Sequence, residues 1–283
     1  MAITGIEHIE LKGIPALRLS IANGASAVLS LFGGQVLSWS PPAGGERLYL
    51  SPLAAHDGLQ PIRGGIPVCF PQFADLGPLM QHGFARTAQW TVLTERHGKD
   101  FALVSLGLSD SAATRALWPH AFEAELSVLI EDNRLDLELE VGNRGDSEFS
   151  FTAALHTYLA VHEVEQTRLE GLHGYSYRDK TDANRIKRDS GDVVEIEAET
   201  DRIYHDVQRP LLLREYRRSL GINAEGFADV VVWNPWVERS AAIADLPKDG
   251  FRHLLCVEAA AAQHPVRLAA GERWWGRQTL VEL

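Results

Sequence analysis

Two consecutive stretches alternate apolar and polar residues with period two, and this pattern constrains the fold more than any other feature of the chain. Phe122, Ala124, Leu126, Val128 and Ile130 share one face, while Glu123, Glu125 and Ser127 share the other. After Glu131-Asp132-Asn133-Arg134 the pattern resumes, with Leu135, Leu137, Leu139 and Val141 against Asp136, Glu138 and Glu140. Successive strand side chains point to opposite faces, so each stretch predicts a half-buried strand and the polar turn between them a hairpin. Asn143-Arg144-Gly145-Asp146 turns the chain towards another strand starting at Phe149, and the segment 274–281 alternates in the same way. Further strand candidates are Ala25–Leu31, Val36–Trp39, Gln89–Leu93, Phe101–Leu108, Val193–Ala198, Leu211–Tyr216, Val230–Trp233 and Leu254–Ala259. Helical periodicity is nearly absent over any long window. Strands at regular spacing, punctuated by 24 Gly and 13 Pro, predict an all-β antiparallel sandwich or barrel. No linker, charge block or internal repeat divides the chain, so the expectation is one domain spanning residues 1–283.

Charge narrows the choice of partners. With 27 Lys+Arg against 38 Asp+Glu the formal net charge is −11, which argues against a nucleic-acid backbone as partner. No apolar run of about 18 residues is present, so no membrane helix is expected. The start, Met1-Ala2-Ile3-Thr4-Gly5, lacks a basic segment followed by an apolar one, and a cytoplasmic protein is expected. Two cysteines, Cys69 and Cys256, each between apolar neighbours, read as buried thiols rather than a disulfide framework or a thiolate zinc site.

Four segments break the strand pattern with polar residues. Pro61-Ile62-Arg63-Gly64-Gly65-Ile66-Pro67 sets a guanidinium beside paired glycines, which permit close backbone approach. Met80-Gln81-His82-Gly83-Phe84-Ala85-Arg86 gathers an amide, an imidazole and a guanidinium, a set that can hydrogen-bond a polyol and an anion together. His156 interrupts the apolar run Ala154-Leu155-His156-Thr157-Tyr158-Leu159. Glu258 is the only charge in Leu254-Leu255-Cys256-Val257-Glu258-Ala259-Ala260; burial would push its pKa up towards the range a general base needs near pH 7. For each, a structural role stands beside the functional one: a solvated arginine, a core histidine, a paired carboxylate. His82, His156 and Glu258 could hold a metal, but no short paired-histidine spacing supports it. Trp233 and Trp236, flanking Asn234-Pro235, read as core filling or as faces for a sugar ring. Asp201, in Thr200-Asp201-Arg202, reads as a surface ion pair or a ligand-binding acid. Nucleotide-binding GxGxxG and GxxxxGK[ST], the GxSxG serine elbow and HExxH are all absent.

Taken together and in order, Arg63-Gly64-Gly65-Ile66-Pro67, Gln81-His82-Gly83-Phe84-Ala85-Arg86, His156-Thr157-Tyr158, residues 199–204, Trp233-Asn234-Pro235-Trp236 and Cys256-Val257-Glu258 are similar to the glucose-6-phosphate 1-epimerase (hexose-6-phosphate mutarotase) branch of the aldose 1-epimerase family. The resemblance covers about residues 10–280 and implies a large β-sandwich of the galactose-mutarotase type, working without cofactor or metal. It also implies His156 as general acid and Glu258 as general base in opening and closing a sugar ring. Arg63 and Arg86 would grip a 6-phosphate, Gln81 and Asp201 would bind phosphate or hydroxyls, and His82 would be a further contact. The expected partner is a small sugar phosphate, handled by a monomer. A non-catalytic sugar-phosphate binder on the same sandwich and a mutarotase of neutral aldoses are the competing readings; the acid–base pair disfavours the first and the arginines the second.

Overall fold

The computed structural model describes residues 4–42 and 45–283. The hairpin read from the alternation forms: Phe122–Glu131 and Arg134–Asn143 pair antiparallel, Ile130 opposite Leu135 and Val128 opposite Leu137. Their apolar faces are buried, and their carboxylates are at least partly exposed except Asp136, which is buried. The hairpin sits inside a nine-stranded sheet that also contains Phe101–Ser109, Ser219–Glu225 and Arg273–Glu282. An eight-stranded sheet packs against it, with Thr200–Tyr204, Asp229–Asn234, Leu254–Leu268 and Phe149–Leu155 as successive neighbours and Val68–Cys69 at its edge. A four-stranded sheet from Gly5 to Ser40 joins this sandwich through backbone bonds such as Trp90 N–H to the Leu31 carbonyl. Every ladder is antiparallel among the described residues.

The central strands of the eight-stranded sheet are largely apolar on both faces. Leu255, Val257, Ala259 and Ala261 enter the main core with Val230, Val232, Phe151 and Leu155. The alternate residues, Leu254, Cys256, Ala260, Val231, Trp233 and Cys69, form a second cluster on the opposite face. Burial on both faces turns strand sequences into continuous apolar runs, and one polar residue on the second face then becomes conspicuous. That residue is Glu258.

Strand boundaries shift where alternation is weak. Only Val193–Val194 of the expected Val193–Ala198 pairs, and the Gln89–Leu93 candidate becomes Thr91–His97. The strand from Leu254 runs on to Leu268. The N-terminal strands Gly5–Leu11 and Ile14–Ser20, together with Thr200–Tyr204 and Ser219–Glu225, carry too many charged or small residues to stand out in the sequence. Two short helices also form. Ala112–Leu117 is capped reciprocally by Ser111 and Thr114, and Trp236–Ala242 follows the Asn234-Pro235 turn.

The Arg63-Gly64-Gly65 turn is a close approach. Gly65 has φ +62 and its amide bonds the Tyr49 carbonyl at 2.7 Å, while a Cβ there would lie 2.2 Å from the Val36 carbonyl oxygen. Gly65→Ala is therefore expected to cost at least about 2 kcal/mol, from the left-handed backbone and the collision together. A thermal melt checks it, and a Tm unchanged from wild type would contradict this account.

Candidate active site

Antiparallel register builds the centre of the site. Leu155 pairs with Ala259 and Tyr158 with Cys256, so the same register sets His156 across from Glu258. Tyr158, Cys256, Trp233 and Asp201 form a second row across the sheet, through the pairings Tyr158–Cys256, Cys256–Trp233 and Trp233–Asp201. Period two places these residues on one face. The intervening Thr157 points the other way, into the sandwich, where its hydroxyl bonds the Gln278 amide.

His156 Nδ1 lies 3.3 Å from Glu258 Oε1, out of line for an Nδ1–H hydrogen bond, so Nδ1 and Glu258 Oε2 are both buried without a hydrogen-bond partner. The imidazole stacks on Tyr158, with centroids 4.7 Å apart and planes 8° from parallel, and meets His82 edge-on at 5.2 Å. Burial is the leading cause that holds His156 well below an ordinary histidine pKa, reinforced by His82, Arg63 and Arg86. Burial likewise holds Glu258 well above the usual carboxylate range, helped by the Asp201 charge and opposed by Lys180. In the substrate-free protein burial therefore favours the uncharged form of each group, the neutral imidazole and the protonated carboxyl. An ordinary histidine titrates near neutral pH; burial takes His156 out of that range.

His82 sits at φ +67, and its Nδ1 accepts the Ala74 N–H at 3.2 Å beside the Cys69 thiol, also at 3.2 Å. With Nδ1 an acceptor, the ring proton is on Nε2. Burial and the neighbouring cations lower this histidine to about 3, so it is a neutral donor rather than a cation. Arg86 is held through an Nη2–H bond to the Gln81 carbonyl at 2.7 Å, and its Nε is buried without a partner. Arg63 donates Nε–H to Asp245 at 3.1 Å and Nη1–H to the Tyr158 hydroxyl at 3.0 Å.

A cavity of about 460 Å³ opens over this face and is lined by all seven residues selected from sequence: Arg63, Gln81, His82, Arg86, His156, Asp201 and Glu258. That volume suits a small polar ligand. Lys180, Tyr158, Trp233, Arg239 and Asp245 line it as well and were not selected as site residues. Alternation from His156 could have flagged Tyr158. Lys180 had no such signal: its Nζ reaches Asp201 at 3.4 Å because it directly follows the strand Ser176–Asp179, which pairs with Thr200–Tyr204. Of the two tryptophans, Trp233 lines the cavity whereas Trp236 packs on Phe251 at 5.2 Å.

The sequence model of the aldose 1-epimerase family matches residues 15–280. The chain belongs to the aldose 1-epimerase family, a family of isomerases acting on sugars. A protein of Cenchrus ciliaris carrying the name "Putative glucose-6-phosphate 1-epimerase" is 34% identical over 98% of this chain and 85% of its own length. One of the same name from Escherichia coli K12 is 31% identical over 83% and 80%. Among solved structures, one from Salmonella typhimurium described as a "putative mutarotase" superposes with a TM-score of 0.92 at 26% identity, covering 100% of this chain and 95% of that one. A galactose mutarotase related enzyme from Lactobacillus acidophilus shares the fold with a TM-score of 0.75 at 18% identity, over 94% and 97% of the two chains.

Proposed function

We propose that the protein interconverts the α and β anomers of a hexose 6-phosphate, with glucose 6-phosphate the substrate best supported. The observation that carries this reading is one cavity holding both a buried imidazole–carboxyl pair and two guanidinium groups, Arg63 and Arg86. Anomer exchange moves a proton from the C1 hydroxyl to the ring oxygen, so that the ring opens to an aldehyde. The C1–C2 bond then rotates and the ring closes on the other face. Glu258 as carboxylate accepts the hydroxyl proton and His156 as imidazolium protonates the ring oxygen; closure reverses both transfers. The neutral pair that burial favours differs from this ion pair by one proton moved between groups 3.3 Å apart. Arg63, through its remaining Nη2, and Arg86 bind the phosphate, which supports a phosphorylated substrate over a neutral one. His82 Nε2–H, Gln81 and Asp201 address hydroxyls or phosphate.

The test follows optical rotation of freshly dissolved α-glucose 6-phosphate and α-glucose. Acceleration of the phosphorylated sugar in preference to glucose is expected. Acceleration of neither would leave a non-catalytic binder, and equal acceleration would leave a mutarotase of neutral aldoses.

The pH profile follows from the pair acting with one shared proton. The acid limb marks addition of a second proton, at His156, and is expected well below the ordinary histidine range because burial disfavours the imidazolium. The alkaline limb marks loss of the last proton, from Glu258, and is expected well above the usual carboxylate range because burial disfavours the carboxylate. In kcat/KM, which reports the free protein, the acid limb is therefore expected below the ordinary histidine range, and an acid limb at the ordinary histidine value would contradict the assignment. Asp201 raises Glu258 as a like charge, so Asp201→Asn is expected to shift the alkaline limb to lower pH. An unmoved limb would remove Asp201 from that role.

A further inference from the structure

We propose that His156, Cys256 and Glu258 form a binding site for a borderline-soft divalent cation of zinc's class, which occupies the cavity floor and blocks the reaction proposed above. One donor atom from each residue lies within 4.8 Å of the other two, and all three residues are buried. Cys256 and Glu258 are two apart on Leu254–Leu268, so both project from the cavity face, and Cys256 is paired with Tyr158, the residue on which His156 stacks. The anomer exchange leaves the Cys256 thiol without a task.

Donor chemistry and spacing suit such a cation. Imidazole nitrogen, thiolate and carboxylate are the zinc ligands of proteins, and bond lengths of about 2.0–2.3 Å put tetrahedral donors roughly 3.3–3.8 Å apart. The His156–Glu258 separation is already 3.3 Å, and small side-chain rotations bring the sulfur in. Two donors are waiting: His156 Nδ1 and Glu258 Oε2 are buried without a partner. Charge balances as well. The thiol and carboxyl protons leave to solvent, and a doubly charged cation with one thiolate, one carboxylate and a neutral imidazole sums to zero, as the protonated site does. Three protein ligands leave the fourth position facing the cavity, open to water or a substrate oxygen.

Blockage rests on the reading of His156 and Glu258 as the proton-transferring pair, because the cation takes the lone pairs that the transfer uses; binding does not rest on it. Titration of the whole protein with Co²⁺ is expected to give a thiolate-to-cobalt charge-transfer band that Zn²⁺ displaces. Cys69→Ala should keep the band. Cys256→Ala, and Cys256→Ser should alanine destabilise the fold, should lose it and weaken Zn²⁺ binding by at least about 10–100-fold, the range for loss of even an outer-shell partner. Absence of the band, or its persistence in the Cys256 variants, overturns the site. Saturating Zn²⁺ is expected to slow mutarotation of glucose 6-phosphate about 100-fold or more in the wild type and far less in Cys256→Ala. A band that forms while turnover is untouched would keep the metal site and overturn the role given to His156 and Glu258.

Discussion

Glu258→Gln is expected to lower kcat for anomer exchange of glucose 6-phosphate by about 10²–10⁴-fold, the usual contribution of one positioned acid or base. Glutamine keeps the volume and the hydrogen-bonding outline of the protonated carboxyl but cannot take up or release the proton. The fold should survive, because a neutral amide replaces a carboxyl whose neutral form burial already favours. KM should change little by comparison. His156→Gln is expected to give a loss of similar size, and the double variant less than the product of the two, since the residues act as a unit. Polarimetry at saturating substrate, with circular dichroism to verify folding, measures both. Turnover within threefold of wild type in either variant would end that residue's assignment.

The second large effect concerns the phosphate. Arg86→Met is expected to lower kcat/KM for glucose 6-phosphate by roughly 10–150-fold, the worth of about 1.5–3 kcal/mol for hydrogen bonds to a charged group. The value for glucose should change by much less. Arg86 suits this test because its Nε is buried without a partner, so the free protein loses only the bond to the Gln81 carbonyl. Arg63→Met should show a smaller difference between the two sugars, since Asp245 and the Tyr158 hydroxyl already occupy part of that guanidinium. An equal loss with both sugars would mean that the arginine shapes the cavity rather than recognising phosphate.

These arginines also show where whole-chain charge stops being informative. A net charge of −11 argues against long anionic polymers, which meet the averaged surface. A single phosphate inside a cavity meets only the groups around it. Arg63, Arg86, Lys180 and Arg239 stand there with Asp201, Asp245 and Glu258, and their interactions are less screened than those at the surface.

Legibility in the sequence followed the physics of each feature. Where one sheet face meets solvent, polarity reports orientation directly, and the strands of Phe122–Asn143 were readable to within a residue or two. Where both faces are buried, as in Leu254–Ala262, alternation disappears and the lone Glu258 carries the signal instead. Short strands such as Ser176–Asp179 gain their order from neighbours rather than from their own pattern, so Lys180 beside Asp201 could not be anticipated.

The sequence by itself therefore determined the β architecture, the identity of the chemically unusual residues and, through ordered motifs, the family. Those properties are local or additive along the chain. Tertiary structure alone decided that His156 faces Glu258, because the register between Phe149–Leu155, Tyr158–Ala160 and Leu254–Leu268 is a long-range pairing. It also decided the direction in which the two groups' pKa values move, since desolvation depends on everything packed around a group. The convergence of Cys256 on that pair has the same origin: residues a hundred positions apart share a face only once the sheet has formed.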